Sequence, residues 1–186
     1  EPMIALPFHP SNAYPIREFK ANLADLLHQV DVDTAQQLGV HNAPSLLGKI
    51  QNGRFRVDQG VIAGCSGGTY QNLTRAAQIL AGRSTGPDAF WLSCYPGSMP
   101  TMLELTNQGY ISTLMSPGAS VRSCFCGPCF GPADVPANSR LSIRHSTRNS
   151  PNPEGSNPGY GPASYVALSA HRSLAPSHKT SHHPTP

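Results

Sequence analysis

The chain has 186 residues, of which 38% are apolar, so it is long enough for one domain with a hydrophobic core. Its 19 prolines and 17 glycines predict many loops. A net charge of +3, with no basic run that could follow phosphates, argues against nucleic acid as a partner, and no apolar run is long enough to predict a membrane span.

The first half of the chain is predicted to alternate strands and helices. Ile4–Phe8 is typical of a short strand, and apolar residues at helical spacing predict an amphipathic helix over about Ile16–Val30. The segment Phe55–Ala63 predicts a buried strand that ends in a tight turn at Gly64–Gly68. A second amphipathic helix is predicted from Thr69 to a stop at glycine.

The second half continues the same alternation. Ala89–Cys94 predicts a buried strand, and Ser98 is the predicted N-cap of the helix that follows. Tyr110–Leu114 fits either a strand or the end of a helix. Leu141–His145 predicts another strand, and the alanine-containing segment Gly161–Leu174 predicts a last helix. This order favours a parallel sheet with helices on both faces.

Three cysteines in two motifs carry the main functional signal. Cys126 and Cys129 form a Cys-Gly-Pro-Cys clip, and Cys65 lies far upstream in a Gly-Cys-Ser-Gly-Gly segment. Five cysteines, an odd number, argue against a complete disulfide framework and favour reduced intracellular thiols that bind a metal or a cluster. One distant thiolate and a close pair can hold three irons of a cubane cluster and leave the fourth iron open as a Lewis acid.

The predicted elements place Cys65 at the carboxyl end of a strand and just before a helix. Ligands of open α/β sheets bind at this edge, and a helix N-terminus favours anionic groups. The glycines beside Cys65 would let the backbone approach a bulky group closely.

These motifs resemble those of the aconitase family, which includes isopropylmalate isomerases and related hydratases. Residues 63–70 (Ala-Gly-Cys-Ser-Gly-Gly-Thr-Tyr) are similar to the family's first cysteine motif, and residues 126–131 (Cys-Gly-Pro-Cys-Phe-Gly) to its second. Residues 142–149 (Ser-Ile-Arg-His-Ser-Thr-Arg-Asn) resemble the arginine-asparagine segment that follows. The resemblance implies an α/β fold, a three-layer α/β/α module with a mostly parallel sheet, over residues 1–175. The composition of residues 176–186 predicts a disordered tail.

Matched residue by residue, the resemblance implies that Cys65, Cys126 and Cys129 hold a [4Fe-4S] cluster and that Arg148 contacts a substrate carboxylate. Asn149 is expected either to contact substrate or to fix a turn. The implied reaction is reversible dehydration and rehydration of a small hydroxy di- or tricarboxylic acid, with the open iron binding the hydroxyl.

Ser66, next to the first cysteine, is a candidate substrate contact, with a helix cap as the alternative role. Departures from the family pattern make citrate a poor candidate, because Ser150 follows Asn149 and Pro153 stands where a second arginine is expected. The family's serine base and its acid residues belong to other parts of the protein. The chain is therefore expected to be a fragment that works with other domains or chains of the same hydratase, in the cytoplasm or the mitochondrion.

Other interpretations remain open. The three thiols could be buried structural groups or bind zinc, with His145 or Cys124 as a fourth ligand. Cys94 is expected in the core and Arg144 in a structural role. The chain could also be a non-catalytic iron-sulfur binding protein or an inactive fragment of such a hydratase.

Overall fold

The computed structural model describes residues 1–7, 11–38, 45–85, 90–129, 133–137, 139–146 and 164–171, with residues 37–38 and 164–171 described by their backbone alone. The strands in this part of the chain are β1 (Pro2–Ala5), β2 (Ala13–Pro15), β3 (Ile50–Gln51), β4 (Arg54–Phe55), β5 (Gln59–Ile62), β6 (Trp91–Cys94), β7 (Ser120–Val121), β8 (Arg140–His145) and β9 (Ser164–His171). The α-helices are α1 (Ile16–Ala21), α2 (Leu23–Leu38), α3 (Gly64–Gly67), α4 (Tyr70–Leu80), α5 (Met99–Asn107) and α6 (Tyr110–Met115).

Seven strands form one sheet in the order β2-β1-β9-β8-β5-β6-β7. Neighbours from β9 to β7 run parallel, whereas β1 pairs antiparallel with both β9 and β2. The remaining strands, β3 and β4, form a small antiparallel hairpin. The predicted α/β class with a mostly parallel sheet is confirmed.

Apolar side chains from one face of this sheet pack against the helices. One cluster joins β1 and β8 to α1 and α2; its buried members are Ile4, Leu6, Phe19, Leu27, Val30, Leu46 and Leu141. A second joins β6 to α4, α5 and α6; its buried members are Leu73, Ala77, Cys94, Leu105, Leu114 and Ala119. Alternation along the strands and the β8–β5–β6 register put Leu141 and Cys94 on the same face. The helices of the described ranges therefore cover one face, and a second helical layer is not among the elements of those ranges.

The opposite face of the sheet is polar near its centre. Ser93, Ser142 and Arg144 lie there and are at most 2% exposed. Residues 124–129 and 133–137, which we call the cysteine loop, pass over this face, because Cys129 packs against Val61 of β5. The cysteine loop, rather than a helix, is what buries these polar side chains in the part of the chain described.

Most of the predicted helix and strand positions are confirmed, and the helix starts follow from capping. The Thr69 hydroxyl accepts a hydrogen bond from the Asn72 amide, and the Ser98 hydroxyl accepts one from the Thr101 amide, each at 3.3 Å. The ambiguous segment after Gly109 is a helix, α6. Among the described residues, none of the helices combines the length and the apolar content that crossing a membrane requires.

Four of the predicted elements differ in the structure. The single strand expected over Phe55–Ala63 is divided between β4, which pairs with β3, and β5, which belongs to the large sheet. The helix expected over Gly161–Leu174 is wrong, because Ser164–His171 forms β9, which pairs with β8 on one side and β1 on the other. Backbone pairing on two sides outweighs the helix propensity of its alanines. The first predicted helix is divided at Asn22, and the turn after β5 is one turn of helix. The predicted tail, residues 176–186, lies outside the described residues.

One buried carboxylate fixes the amino ends of the central strands. The Asp58 side chain accepts hydrogen bonds from Lys49 Nζ at 2.7 Å, Arg140 Nη1 at 2.9 Å and the Leu141 amide at 2.9 Å. Burial raises the pKa of Asp58, but these three hydrogen bonds outweigh burial, so its pKa lies below the usual value.

We expect Asp58→Asn to lower the free energy of unfolding by about 2–4 kcal/mol at neutral pH, because it leaves Lys49 and Arg140 without their buried partner. The folded pKa is depressed, so this difference is fully present above the unfolded pKa of about 3.8 and disappears as the pH falls through the lower folded pKa. Urea unfolding of both proteins between pH 7 and pH 2.5 measures it, with the exposed Asp25→Asn as control. Equal stability of the two variants would contradict the prediction.

Candidate functional site

The first cysteine motif forms a short helical turn at the carboxyl end of β5. Cys65 lies in α3 and is exposed, and Gly64 before it has a φ of +77°, a conformation that favours glycine. A Cβ atom at Gly64 would lie 2.5 Å from Cys129 Sγ. The two cysteine motifs, far apart in sequence, therefore meet at this edge of the sheet.

Neighbouring elements hold the backbone of this turn. The Ala63 amide donates to the His145 carbonyl at the end of β8, at 3.2 Å, and the Asn72 side chain donates to the Ser66 carbonyl at 2.8 Å. Gly67 lies so close to β8 that an added Cβ would overlap the His145 carbonyl. The position of Cys65 is thus set by close contact between α3 and the end of β8.

The second motif forms a 3₁₀ turn, Gly127–Cys129, in which the Cys129 amide donates to the Cys126 carbonyl at 3.1 Å. Cys126 is exposed and Cys124 is half-buried. Cys129 is 7% exposed and packs against Val61, Ala63 and Tyr95. The clip therefore presents one thiol to solvent and one to the sheet.

Polar contacts on the sheet side hold two points of the cysteine loop. Arg144 donates to the Pro128 carbonyl at 2.5 Å and to the Asp134 carbonyl at 2.7 Å. Burial, with the hydrogen bond to the Asp134 carboxylate and its charge, raises the pKa of Tyr95 to about 12. Tyr95 is therefore neutral at physiological pH and can act as a donor to Asp134.

Comparison with known proteins identifies the family. A profile of the aconitase family (aconitate hydratase) matches residues 1–159. This chain belongs to the aconitase family. The relationship predicted from the cysteine motifs is therefore confirmed.

Curated aconitase-family relatives are similar over part of their length. The chain is 32% identical over 136 residues to the homoaconitase large subunit of Thermus thermophilus, which covers 72% of this chain and 30% of that protein. It is 34% identical over 96 residues to the 3-isopropylmalate dehydratase large subunit of Clostridioides difficile, which covers 51% of this chain and 22% of that protein. The corresponding large subunit of Moorella thermoacetica is 31% identical over 107 residues, covering 55% and 25%. The chain thus spans about a quarter of the length of these relatives.

The structure brings some of the predicted site residues together. Cys129 contacts the turn that carries Cys65, and Cys126 belongs to the same 3₁₀ turn as Cys129. Within the described ranges, no three or more Cys, His, Asp or Glu side chains lie close enough to hold a metal ion. The predicted substrate contacts Arg148 and Asn149 lie outside the described residues.

Two serine hydroxyls at this edge are buried without a hydrogen-bond partner in the described part of the chain. They are Ser66 Oγ, beside Cys65, and Ser146 Oγ, just after β8. The alternative role of Ser66 as a helix cap is wrong, because Thr69 caps α4. Buried hydroxyls normally have a hydrogen-bond partner, which makes these two unusual among the described residues.

The other predictions from single residues have clear outcomes. Cys94 is fully buried among the helices, as predicted, and burial raises the pKa of its thiol to about 12. The structural role predicted for Arg144 is confirmed, but its contact with the cysteine clip was not predicted. The sequence does indicate a buried polar position here, because Arg144 alternates with the apolar residues Leu141 and Ile143 along a predicted strand.

Proposed function

We propose that this chain is the part of an aconitase-family hydro-lyase that binds a [4Fe-4S] cluster through Cys65, Cys126 and Cys129. The observation that carries the proposal is the meeting of the two cysteine motifs, where Gly64 leaves room for Cys129 Sγ. Membership of the aconitase family supports the same ligand set.

The types of residue at this edge of the sheet are suited to binding such a cluster. Three cysteine thiolates are the ligands that iron-sulfur clusters use, and one iron then lacks a protein ligand. The absence of a Cβ at Gly64 lets Cys129 Sγ lie close to the turn that carries Cys65. The Ser146 hydroxyl, which has no hydrogen-bond partner among the described residues, can donate a hydrogen bond to sulfur in the bound group.

In this proposal, different residues of the chain have different roles in the reaction. When bound, the cluster supplies a Lewis-acidic iron that polarises a substrate hydroxyl. Arg148, which follows β8 in the sequence, binds a carboxylate of the substrate, and Asn149 and Ser66 orient the substrate by hydrogen bonds. The substrate class is a small hydroxy di- or tricarboxylic acid, and the reaction is its reversible dehydration and rehydration.

The remaining catalytic groups would come from other domains or from a partner subunit. Several relatives are named large subunits, which supports a partner small subunit in the same enzyme. In this proposal residues 1–175 form the cluster-binding domain, residues 176–186 form a tail, and the protein works in the cytoplasm or the mitochondrion.

Reconstitution tests the proposal. The chain, purified without oxygen and incubated with iron and sulfide, is expected to develop a broad visible absorption band, and mild oxidation should produce the EPR signal of a three-iron cluster. Binding of one zinc ion in place of iron, or no chromophore at all, would contradict the proposal. Cluster assembly without turnover, after a chain carrying the missing domains is added, would instead indicate a non-catalytic iron-sulfur protein.

A further inference from the structure

We infer that Arg144 is a positioning residue that holds the cysteine loop on the sheet and thereby fixes the Cys129 thiol beside the turn that carries Cys65. The attachment of the cysteine loop by Arg144 is inferred from the structure alone, whereas its effect on a bound cluster rests on the proposed function. Arg144 lies within the segment 142–149 that resembles the family's arginine-asparagine segment, but the resemblance assigns a substrate contact only to Arg148 and Asn149 there, not to Arg144.

Arg144 reaches the cysteine loop from the middle of the sheet. It lies on β8 opposite Val61 of β5, and it is 2% exposed. Nη1 donates to the Pro128 carbonyl, Nη2 donates to the Asp134 carbonyl at 2.7 Å, and Nε donates to Ser142 Oγ at 3.2 Å. One guanidinium therefore joins β8 to two points of the cysteine loop that lie six residues apart.

The chemistry of this contact requires a guanidinium. Its nitrogens form a rigid planar fork that can donate to two carbonyls at once, whereas a lysine ammonium is a single charged point on a flexible stem. Both carbonyls face a buried side chain, so an apolar replacement would leave them unpaired. The cysteine loop would then lose its attachment at Pro128 and at Asp134.

The attachment at Pro128 bears directly on Cys129. Pro128 is the preceding residue, and the Cys129 amide is bonded to the Cys126 carbonyl, so movement of this turn moves both thiols. Cys129 packs on Val61, which is the register partner of Arg144. Arg144 thus determines how deeply Cys129 is buried and how close its sulfur stays to Gly64.

The test measures alkylation of each cysteine in the reduced, metal-free chain by iodoacetamide and mass spectrometry. In Arg144→Met we expect the rate at Cys129 to rise about tenfold or more, because two charge-assisted hydrogen bonds are lost. Cys94 is the internal control, since it is fully buried in the other core and becomes reactive only if the chain unfolds. Arg140→Met is the matched control, because Arg140 lies on the same strand, is partly exposed and bonds Asp58 through its side chain. Its amide donates to the Ala137 carbonyl of the cysteine loop at 3.1 Å, but this is a backbone hydrogen bond that the substitution keeps.

A rise at Cys129 alone supports the inference, and an unchanged rate at Cys129 in a folded Arg144→Met chain overturns it. If the alkylation rates of Cys94 and Cys129 both rise in Arg144→Met, the Arg144→Lys variant distinguishes positioning from unfolding. This variant keeps the charge and can still donate to one carbonyl. A selective rise at Cys129 in that variant, smaller than in Arg144→Met, supports positioning; a joint rise, or none, overturns it.

The reconstituted chain gives a second readout. If the proposed function holds, the Arg144→Met cluster should lose iron several-fold faster than the wild-type cluster after mild oxidation, with an altered three-iron EPR signal, whereas Arg140→Met should match wild type. Failure of the wild-type chain to assemble a cluster would contradict the proposed function but leave the alkylation result decisive for Arg144.

Discussion

Cys126→Ser is expected to abolish iron binding by the reconstituted chain. The proposed site has three thiolates, and a serine hydroxyl at neutral pH is a far weaker iron ligand than a thiolate. Cys126 is a better position to replace than Cys129, because its side chain is exposed whereas that of Cys129 is buried, so the substitution leaves the core unchanged. Iron and acid-labile sulfide per chain, measured after reconstitution and gel filtration, are expected to fall to background.

The control for this experiment lies two residues away. Cys124→Ser removes a half-buried thiol from the same segment and is expected to leave iron content and absorption at the wild-type level. Iron retained in Cys126→Ser but lost in Cys124→Ser would mean that the clip uses a different pair of thiols. Unfolding curves of both variants in urea should overlay that of the wild-type chain, so that any loss of iron reflects a missing ligand.

The arrangement around Cys65 could be predicted from sequence because local signals agree there. The apolar segment before Ala63 forms a buried strand, the glycines permit the tight turn, and Thr69 provides the cap of the next helix. Since each signal acts within a few residues, no knowledge of distant contacts was needed. The chemistry of Cys65 and Cys126 was suggested by residue type and spacing in the same way.

The features that were not predicted correctly from the sequence depend on contacts between distant segments. Nothing local in Ser164–His171 predicts that β8 and β1 will flank it, and this pairing is what makes it a strand. Likewise, the strand pattern around Arg144 indicates a buried polar position but gives no partner. Its acceptors at Pro128 and Asp134 are known only once the cysteine loop is placed across the sheet.

Gly67→Ala is the second change with a large expected effect. An added Cβ would overlap the backbone carbonyl of His145, which cannot turn aside as a flexible side chain could. The turn that carries Cys65 would have to move away from β8 and lose the hydrogen bond between the Ala63 amide and that carbonyl. We expect the free energy of unfolding to fall by about 3 kcal/mol and iron binding to be lost in the chain that remains folded.

Gly48→Ala is the matched control for this glycine. Gly48 is exposed in the 3₁₀ turn Leu47–Lys49, and a Cβ there would have no atom within 4 Å. Its substitution should change the free energy of unfolding by no more than about 0.5 kcal/mol and leave iron content unaltered. Urea unfolding of both variants makes the comparison. Coincident midpoints would show that α3 and β8 are not in the close contact on which the position of Cys65 depends, whereas normal stability with lost iron would separate the geometry of the site from the stability of the fold.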